Sequence, residues 1–376
     1  MGPVRPTRAE VDLDAVAHNV RVVRDLVAPA SVWVVVKADG YGHGAAAVGS
    51  AAIEAGAEAL AVALVEEAEA LRRADVRAPV VILSEAPAGA ADRLVAADAQ
   101  PAVYSRESIA EVAAAAERAG RTVPVHLKVD TGMHRVGVAP GAAADLAVAI
   151  GREPALALAS VWTHLAVADV PDDPFTAEQL RRYDEACDAI EAAGVAIPRR
   201  HAANSAGAIA HPAARLDAVR LGIAAYGVSP GPALDGAVDL RPALRLVSAV
   251  SHVQRIGAGE AVSYGRRYRV EAETTVAVVP IGYADGVRRR LGAVDGEVLI
   301  GGRRCPIAGT VTMDQVTVDC GPDARVERGD EVVLIGRQGD EEITAAEWAR
   351  RLDTIGYEIT CAIGPRVPRV HVRRSG

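Results

Sequence analysis

Between residue 12 and about residue 228 the chain alternates short apolar runs with longer segments of helical period, and that pattern admits few architectures. A strand of a parallel sheet is covered on both faces by its crossover helices, so it is written as an unbroken run of Val, Leu, Ile and Ala. Eight short candidate runs, most of them largely apolar, occur at 32–36, 59–64, 80–83, 102–104, 125–129, 158–163, 200–203 and 219–225. Between them lie stretches such as VEEAEALRRADV and RESIAEVAAAAERAG, the second ending at Gly120 where a helix terminator belongs. Eight strand-and-helix repeats predict an α/β fold built on a (β/α)8 TIM-like barrel. A doubly wound open sheet shares the local pattern and is the competing geometry.

After Gly227 the character changes. SPGPALDG is a Pro/Gly-rich connection, and LRLVSAVSHVQRI, TTVAVVPIGYA, GEVLIGGRRCPIAG and DEVVLIG are Val- and Thr-rich runs separated by turn residues. AAEWARRLD has the pattern of a short helix. The expected organisation is a barrel over 1–230 and a mostly β domain over 231–376. With a single Phe (Phe175) and three Trp, the cores must be filled by small and β-branched side chains.

A formal charge of −8 and a pI near 5.7 give no basic footprint for nucleic acid or an anionic membrane surface, so small-molecule chemistry is favoured. Cys187, Cys305, Cys320 and Cys361 are widely spaced without a CxxC pair, which predicts buried thiols and no metal site. The N-terminus lacks a signal-peptide pattern and no apolar stretch reaches spanning length, so a cytoplasmic protein is expected.

Only two lysines, Lys37 and Lys128, stand against thirty-nine arginines. Arginine can replace lysine as a solvated charge, but it cannot lose a proton, attack a carbonyl or accept a carbamate as a primary amine does. Both lysines are therefore candidates for covalent chemistry. Lys37 closes the run SVWVVVKADGYGHG, which places it at the C-terminal end of the first barrel strand, on the catalytic face of such a fold. Desolvation there lowers an amine's pKa and suits it to Schiff-base formation.

KADGYGHG resembles the pyridoxal-phosphate lysine motif of the alanine racemase family. The resemblance continues through HLKVDTGMHRVG (126–137), WTHLA, HAANSAG, VRLGIAAYG, VSYGRRY, VPIGYADG, GTVTMDQ and DTIGYEI, which span nearly the whole chain. It implies a fold-type III enzyme that uses pyridoxal 5'-phosphate to interconvert L-alanine and D-alanine, the latter for peptidoglycan. Lys37 would be one of two bases and Tyr264 the other. Because Tyr264 lies in the second domain, the family implies that it serves the partner subunit of a head-to-tail homodimer.

The other implied roles fall on named residues. Ser205, Gly222 and Ile223 would hold the phosphate with hydroxyl and backbone N–H groups, and Tyr41 would add its hydroxyl; Ser205 could also simply cap its helix. Arg220 resembles the arginine that faces the pyridine nitrogen. A guanidinium has donors only, so it would leave that nitrogen unprotonated. His164 would link Arg220 to the catalytic tyrosine. Arg135 would bind the substrate carboxylate, Met313 would supply a backbone N–H to the substrate, and Lys128, carbamylated in many relatives, would fix Arg135.

Two positions depart from the family pattern. Thr312 stands where relatives often have Cys, and GPRVPR puts Pro365 where many have a phosphate-contacting tyrosine. A broad-specificity or serine racemase on the same scaffold is the nearest alternative. A non-catalytic pyridoxal-phosphate carrier is the alternative of another class, but carriers lack a second domain.

Overall fold

The computed structural model describes residues 4–373. Its first strand, β1 (Arg8–Asp12), belongs to the C-terminal unit. The next eight form the barrel: β2 (Ser31–Val35), β3 (Ala59–Val62), β4 (Val80–Ile82), β5 (Ala99–Val103), β6 (Val123–Lys128), β7 (Leu156–Trp162), β8 (Arg200–His201) and β9 (Ala218–Leu221). All are parallel and pair in the order β8-β7-β6-β5-β4-β3-β2-β9. The order runs round without the reversal of a doubly wound sheet. Its two ends also meet, because Arg220 N–H donates to Ala203 O at 2.9 Å and Asp217 N–H to Arg200 O at 3.1 Å. The barrel is thus nearly closed.

The strands fall on the expected runs, most of which are apolar because burial on both faces favours that composition. The run 219–225 is longer than β9. Gly222 ends the strand, and Ile223–Tyr226 is a 3-10 turn whose Tyr226 hydroxyl donates to Val35 O at 2.9 Å. Helices Val65–Arg73 and Arg106–Arg118 occupy the expected crossovers. The second is capped by Ser105, which accepts from Ser108 N–H, and is followed by Gly120 at φ 62.

Barrel interiors are usually filled with layers of Val, Ile and Leu. Here one part of the interior is filled instead by Trp33, His126, Ser160, Trp162, His201 and Arg220, all buried.

The barrel unit comprises Val16–Gly40 and Ala45–Arg241. The other unit takes the described residues up to Ala15, the short segment Tyr41–Gly44 and the described residues from Pro242 onward. In it a sheet runs in the order Arg303–Pro306, Glu297–Ile300, Glu331–Gln338, Leu244–Ala249, β1, Arg369–Val372, with Glu341–Ile343 added to Glu331–Gln338. A three-stranded sheet joins His252–Ile256, Thr274–Val279 and Val316–Gly321. Their shared core includes Leu246, Val298, Leu299, Val332, Val333 and Trp348, the last on helix Ala345–Leu352. Cys187, Cys305 and Cys320 are buried, but Cys361 is exposed, because helix Gly356–Cys361 ends there with its other face inward.

Candidate active site

In the barrel unit, Lys37 follows β2 and opens a left-handed turn in which Ala38, Asp39 and Gly40 have φ of 51, 51 and 62°. Two non-glycine residues in that region cost roughly 1 kcal/mol each, so something must hold them. Glu67 does so from the start of its helix. One carboxylate oxygen accepts from Ala38 N–H at 2.6 Å and the other from Ala63 N–H at 2.8 Å. Asp39 accepts from Ala45 N–H at 2.9 Å, and Gly40 N–H donates to Val36 O at 2.8 Å. The sequence shows the lysine and its glycines; Glu67 was not legible because it lies thirty residues away on a surface-like helical face.

Lys37, Lys128, Arg135 and Arg220 form a cationic group. Lys128 is buried and its ammonium lies 4.7 Å from the centroid of the Trp162 ring, over which Arg220 Cζ sits at 4.6 Å. Burial first, then Arg135, Arg220 and Lys37, pull the Lys128 amine down to about 8, against the opposing pull of Asp130. Such a basin favours anions. Arg135 is exposed on the loop after β6. Asp130 shapes that loop by accepting from Gly132 N–H and His134 N–H, both at 3.0 Å. A Cβ at Gly137 would come within 2.8 Å of Asp130 N, so the return of the loop requires glycine.

Both terminal nitrogens of Arg220 are engaged. Its guanidinium donates to His201 Nδ1 at 2.8 Å, Thr163 O at 2.8 Å, Ala202 O at 2.9 Å and His164 Nδ1 at 3.2 Å. Burial lowers it to about 9, which leaves it charged at neutral pH. Burial, then Arg220, Lys128, Arg135 and Lys37, hold His164 well below the ordinary imidazole range, so it is neutral and accepts from Arg220. His201, Ser160, His126 and Gln100 continue this network. Their signal in the sequence is polar residues at alternate positions of strands buried on both faces.

Ser205 Oγ accepts from Gly222 N–H at 2.9 Å and Ala224 N–H at 3.4 Å. The helix Ser205–Ala210 is capped by Asn204, whose side chain accepts from Gly207 N–H at 2.9 Å. Ser205 is therefore one residue inside the helix, and capping does not explain it. Ile223, buried, follows Gly222.

The remaining expected residues lie in the C-terminal unit. Tyr41 is buried with its ring centroid 5.9 Å from that of Tyr357, and its phenol is pushed far up by burial, then by Tyr357 and Cys361. Tyr264 sits in the turn joining Ala261–Val262 to Tyr268–Arg269, and 72 % of its surface is exposed. Ser263, Gly265 and Arg266 there have φ of 62, 74 and 48°. The strained turn is pinned by Thr310, whose hydroxyl donates to Tyr264 O at 3.0 Å and whose carbonyl accepts from Ser263 Oγ at 2.6 Å.

Met313 is 52 % exposed in a turn closed by Thr312, whose hydroxyl donates to Gln315 O at 2.8 Å. The threonine in the place of cysteine thus has a structural use. Tyr283 N–H and Ala284 N–H hold Thr312 O and Met313 O at 2.9 and 3.1 Å. A Cβ at Gly282 would approach both carbonyl oxygens to 2.3 Å, so only glycine fits beneath this turn.

The buried histidines have a consequence for stability. Burial, then the charge of Arg199, lowers His126 to about 3, whereas an unfolded histidine protonates near 6.5. Below about pH 6.5 the unfolded chain binds a proton that the native chain refuses, so stability falls as pH falls. His126→Asn should remove up to about 1.4 kcal/mol per pH unit from that slope, as measured by urea unfolding at several pH values between about 6 and 4. An unchanged slope would mean that the imidazole is charged in the native protein.

Comparison with known proteins agrees with this geometry. Residues 11–230 match the family model of the alanine racemase N-terminal domain and residues 243–371 that of the C-terminal domain. The alanine racemase of Symbiobacterium thermophilum is 47 % identical over 98 % of this chain and 97 % of its own. The crystal structure of alanine racemase from D-cycloserine-producing Streptomyces lavendulae superposes with a TM-score of 0.94 at 40 % identity, covering 100 % of this chain and 99 % of that one. A histidine racemase from Leuconostoc mesenteroides has a TM-score of 0.89 at 29 % identity, covering 99 % of each. With both domains matched end to end, the chain belongs to the alanine racemase family.

Proposed function

We propose that this chain interconverts L-alanine and D-alanine with pyridoxal 5'-phosphate bound at Lys37, as a head-to-tail homodimer. The observation that carries the reading is the arrangement in the barrel unit: a lysine on a strained turn at a strand's C-terminal end, and a buried arginine, by nature a donor only, held in place by four acceptors. The donor set suits the cofactor. The Ser205 hydroxyl and the Ile223 backbone N–H would serve a phosphate, Gly222 N–H, which here donates to Ser205 Oγ, would turn or share its bond to join them, Tyr41 would add its phenol, and Arg220 would face the ring nitrogen. His164 would connect Arg220 to the catalytic tyrosine. Pro365 brings no hydroxyl, so phosphate retention would depend on the remaining donors.

When bound, the cofactor supplies an electron sink beside the substrate's Cα. Arg220 cannot give up a proton to the ring nitrogen, which limits that sink and favours prompt return of the proton to Cα. Lys37 Nζ would take or return the α-proton on one face. The partner subunit's Tyr264 would do so on the other, and its exposure on the C-terminal unit is what such a role requires. Arg135 would pair with the substrate carboxylate, and Met313 would offer its backbone N–H. A Lys128 amine near 8 is partly neutral at physiological pH and can attack carbon dioxide; the carbamate formed, with loss of the amine proton, would anchor Arg135.

Among the described residues no helix is long and apolar enough to cross a membrane. We place the enzyme in the cytoplasm, making D-alanine for peptidoglycan. The resemblance to a histidine racemase keeps a broader or serine-directed specificity as the second reading. Incubation with L-alanine and, in parallel, L-serine in deuterated water, followed by chiral separation, decides between them. Rapid appearance of α-deuterated D-alanine is expected; D-serine formed faster would overturn the assignment of substrate.

A further inference from the structure

One residue from each of five successive barrel strands forms a continuous file through the interior: Gln100 on β5, His126 on β6, Ser160 on β7, His201 on β8 and Arg220 on β9. Gln100 Oε1 lies 3.1 Å from His126 Nε2, His126 Nδ1 lies 2.7 Å from Ser160 Oγ, and Ser160 Oγ lies 2.9 Å from His201 Nε2. His201 Nδ1 is 2.8 Å from the Arg220 guanidinium. Gln100 is half-buried and the other four are buried. A polar file of this kind in an apolar barrel is costly unless every group is satisfied.

One distribution of protons satisfies all of them. Arg220 only donates, so His201 Nδ1 is bare and Nε2 carries the hydrogen, which it gives to Ser160 Oγ. The Ser160 hydroxyl then has His126 Nδ1 as its acceptor, which puts the His126 hydrogen on Nε2, facing Gln100 Oε1. The reverse tautomer of His126 would leave the serine hydroxyl between two N–H groups. The rings are held against rotation: His201 stacks on Trp162 with centroids 5.6 Å apart and planes 4° apart, and Trp33 lies 4.6 Å from His201 and 5.6 Å from His126.

We propose that Gln100, His126 and Ser160 are positioning residues for the reaction: they receive and pass on the hydrogen bond from His201 Nε2–H and so brace the ring whose Nδ1 holds the Arg220 guanidinium in place. This rests on the reading that Arg220 faces the cofactor. The file meets Arg220 only through His201, so its residues act through that ring.

The test begins with the unmodified protein labelled with 15N in histidine, the His126 and His201 signals being assigned by their loss in H126N and H201N. Both rings are expected as pure Nε2–H tautomers between about pH 8 and pH 5. In R220L, although Arg220 does not touch His126, His201 should become a mixture of tautomers and His126 should follow. In the holoenzyme, Ser160→Ala should lower kcat by about tenfold with KM within about twofold of the parent. H126N, whose Oδ1 takes the place of Nδ1 as acceptor, should retain about fivefold more kcat than H126L. His126 found as the Nδ1–H tautomer or as a mixture in the unmodified protein, or S160A with the parent's kcat, would overturn the proposal. If S160A does not fold, the tautomers of the unmodified protein decide. Failure of the cofactor reading would be separate: borohydride would then leave Lys37 unlabelled while the tautomers stood as assigned.

Discussion

Lys37→Ala and Tyr264→Phe are each expected to lower racemisation by about 10²–10⁴-fold, the range for loss of a positioned acid or base. Equal mixing of the two inactive proteins should restore about a quarter of the parent activity. Half of the resulting dimers would be mixed, and each mixed dimer would carry one site with both lysine and tyrosine intact. The gain follows only if Lys37 of one subunit works with the partner subunit's Tyr264. Subunit exchange followed by a D-alanine assay checks it. No recovery, with mixed dimers demonstrated by mass spectrometry, would place both bases in one chain. K37A alone should also lose the borohydride-reducible adduct, whereas Y264F should keep it.

Arg220→Leu is the substitution with the largest expected effect on stability. It strips the donors from His201 Nδ1, Thr163 O, Ala202 O and His164 Nδ1. A buried acceptor left unsatisfied costs about 1–3 kcal/mol, and the apolar replacement recovers part of the desolvation of the guanidinium. A net loss of about 3–5 kcal/mol is expected in urea unfolding of the apoprotein. Arg220→Lys should recover little of it, because one ammonium cannot span four acceptors that lie around a planar fork. Stability equal to the parent's in R220L would mean that this interior is held by its tryptophans and not by the network.

Most of the parallel strands were legible because a strand buried on both faces is rich in apolar residues, and because 102–104, for example, is bounded by helical patterns that end cleanly; β8, Arg200–His201, lacks that composition. Strand β1 was not legible. Its five residues RAEVD alternate buried and half-exposed, too short a pattern to separate from a loop, and their partners Leu244–Ala249 and Arg369–Val372 are more than two hundred residues distant. The same holds for Tyr41–Gly44, which begins four residues after the lysine yet belongs to the C-terminal unit.

The candidate site divides in a similar way. Lys37 and Lys128 stand out by rarity, and the family motifs name Tyr41, Arg135, His164, Ser205, Arg220, Gly222, Ile223, Tyr264 and Met313. Glu67, which braces the lysine turn, Asn204, which takes the cap expected of Ser205, and Thr310, which pins the turn of Tyr264, carry no local signal of those tasks.

By itself the sequence determined the eight strand-and-helix repeats, the change to a β-rich second domain and the chemical types at the site, because periodicity and residue chemistry are local properties; that the repeats close into a barrel was decided by strand order and the bonds that join the β8 and β9 ends. The tertiary structure alone decided which groups satisfy one another. The orientation of a buried donor is set by whichever acceptor the fold brings opposite it, and for Arg220 those acceptors come from other strands and the loops that follow them.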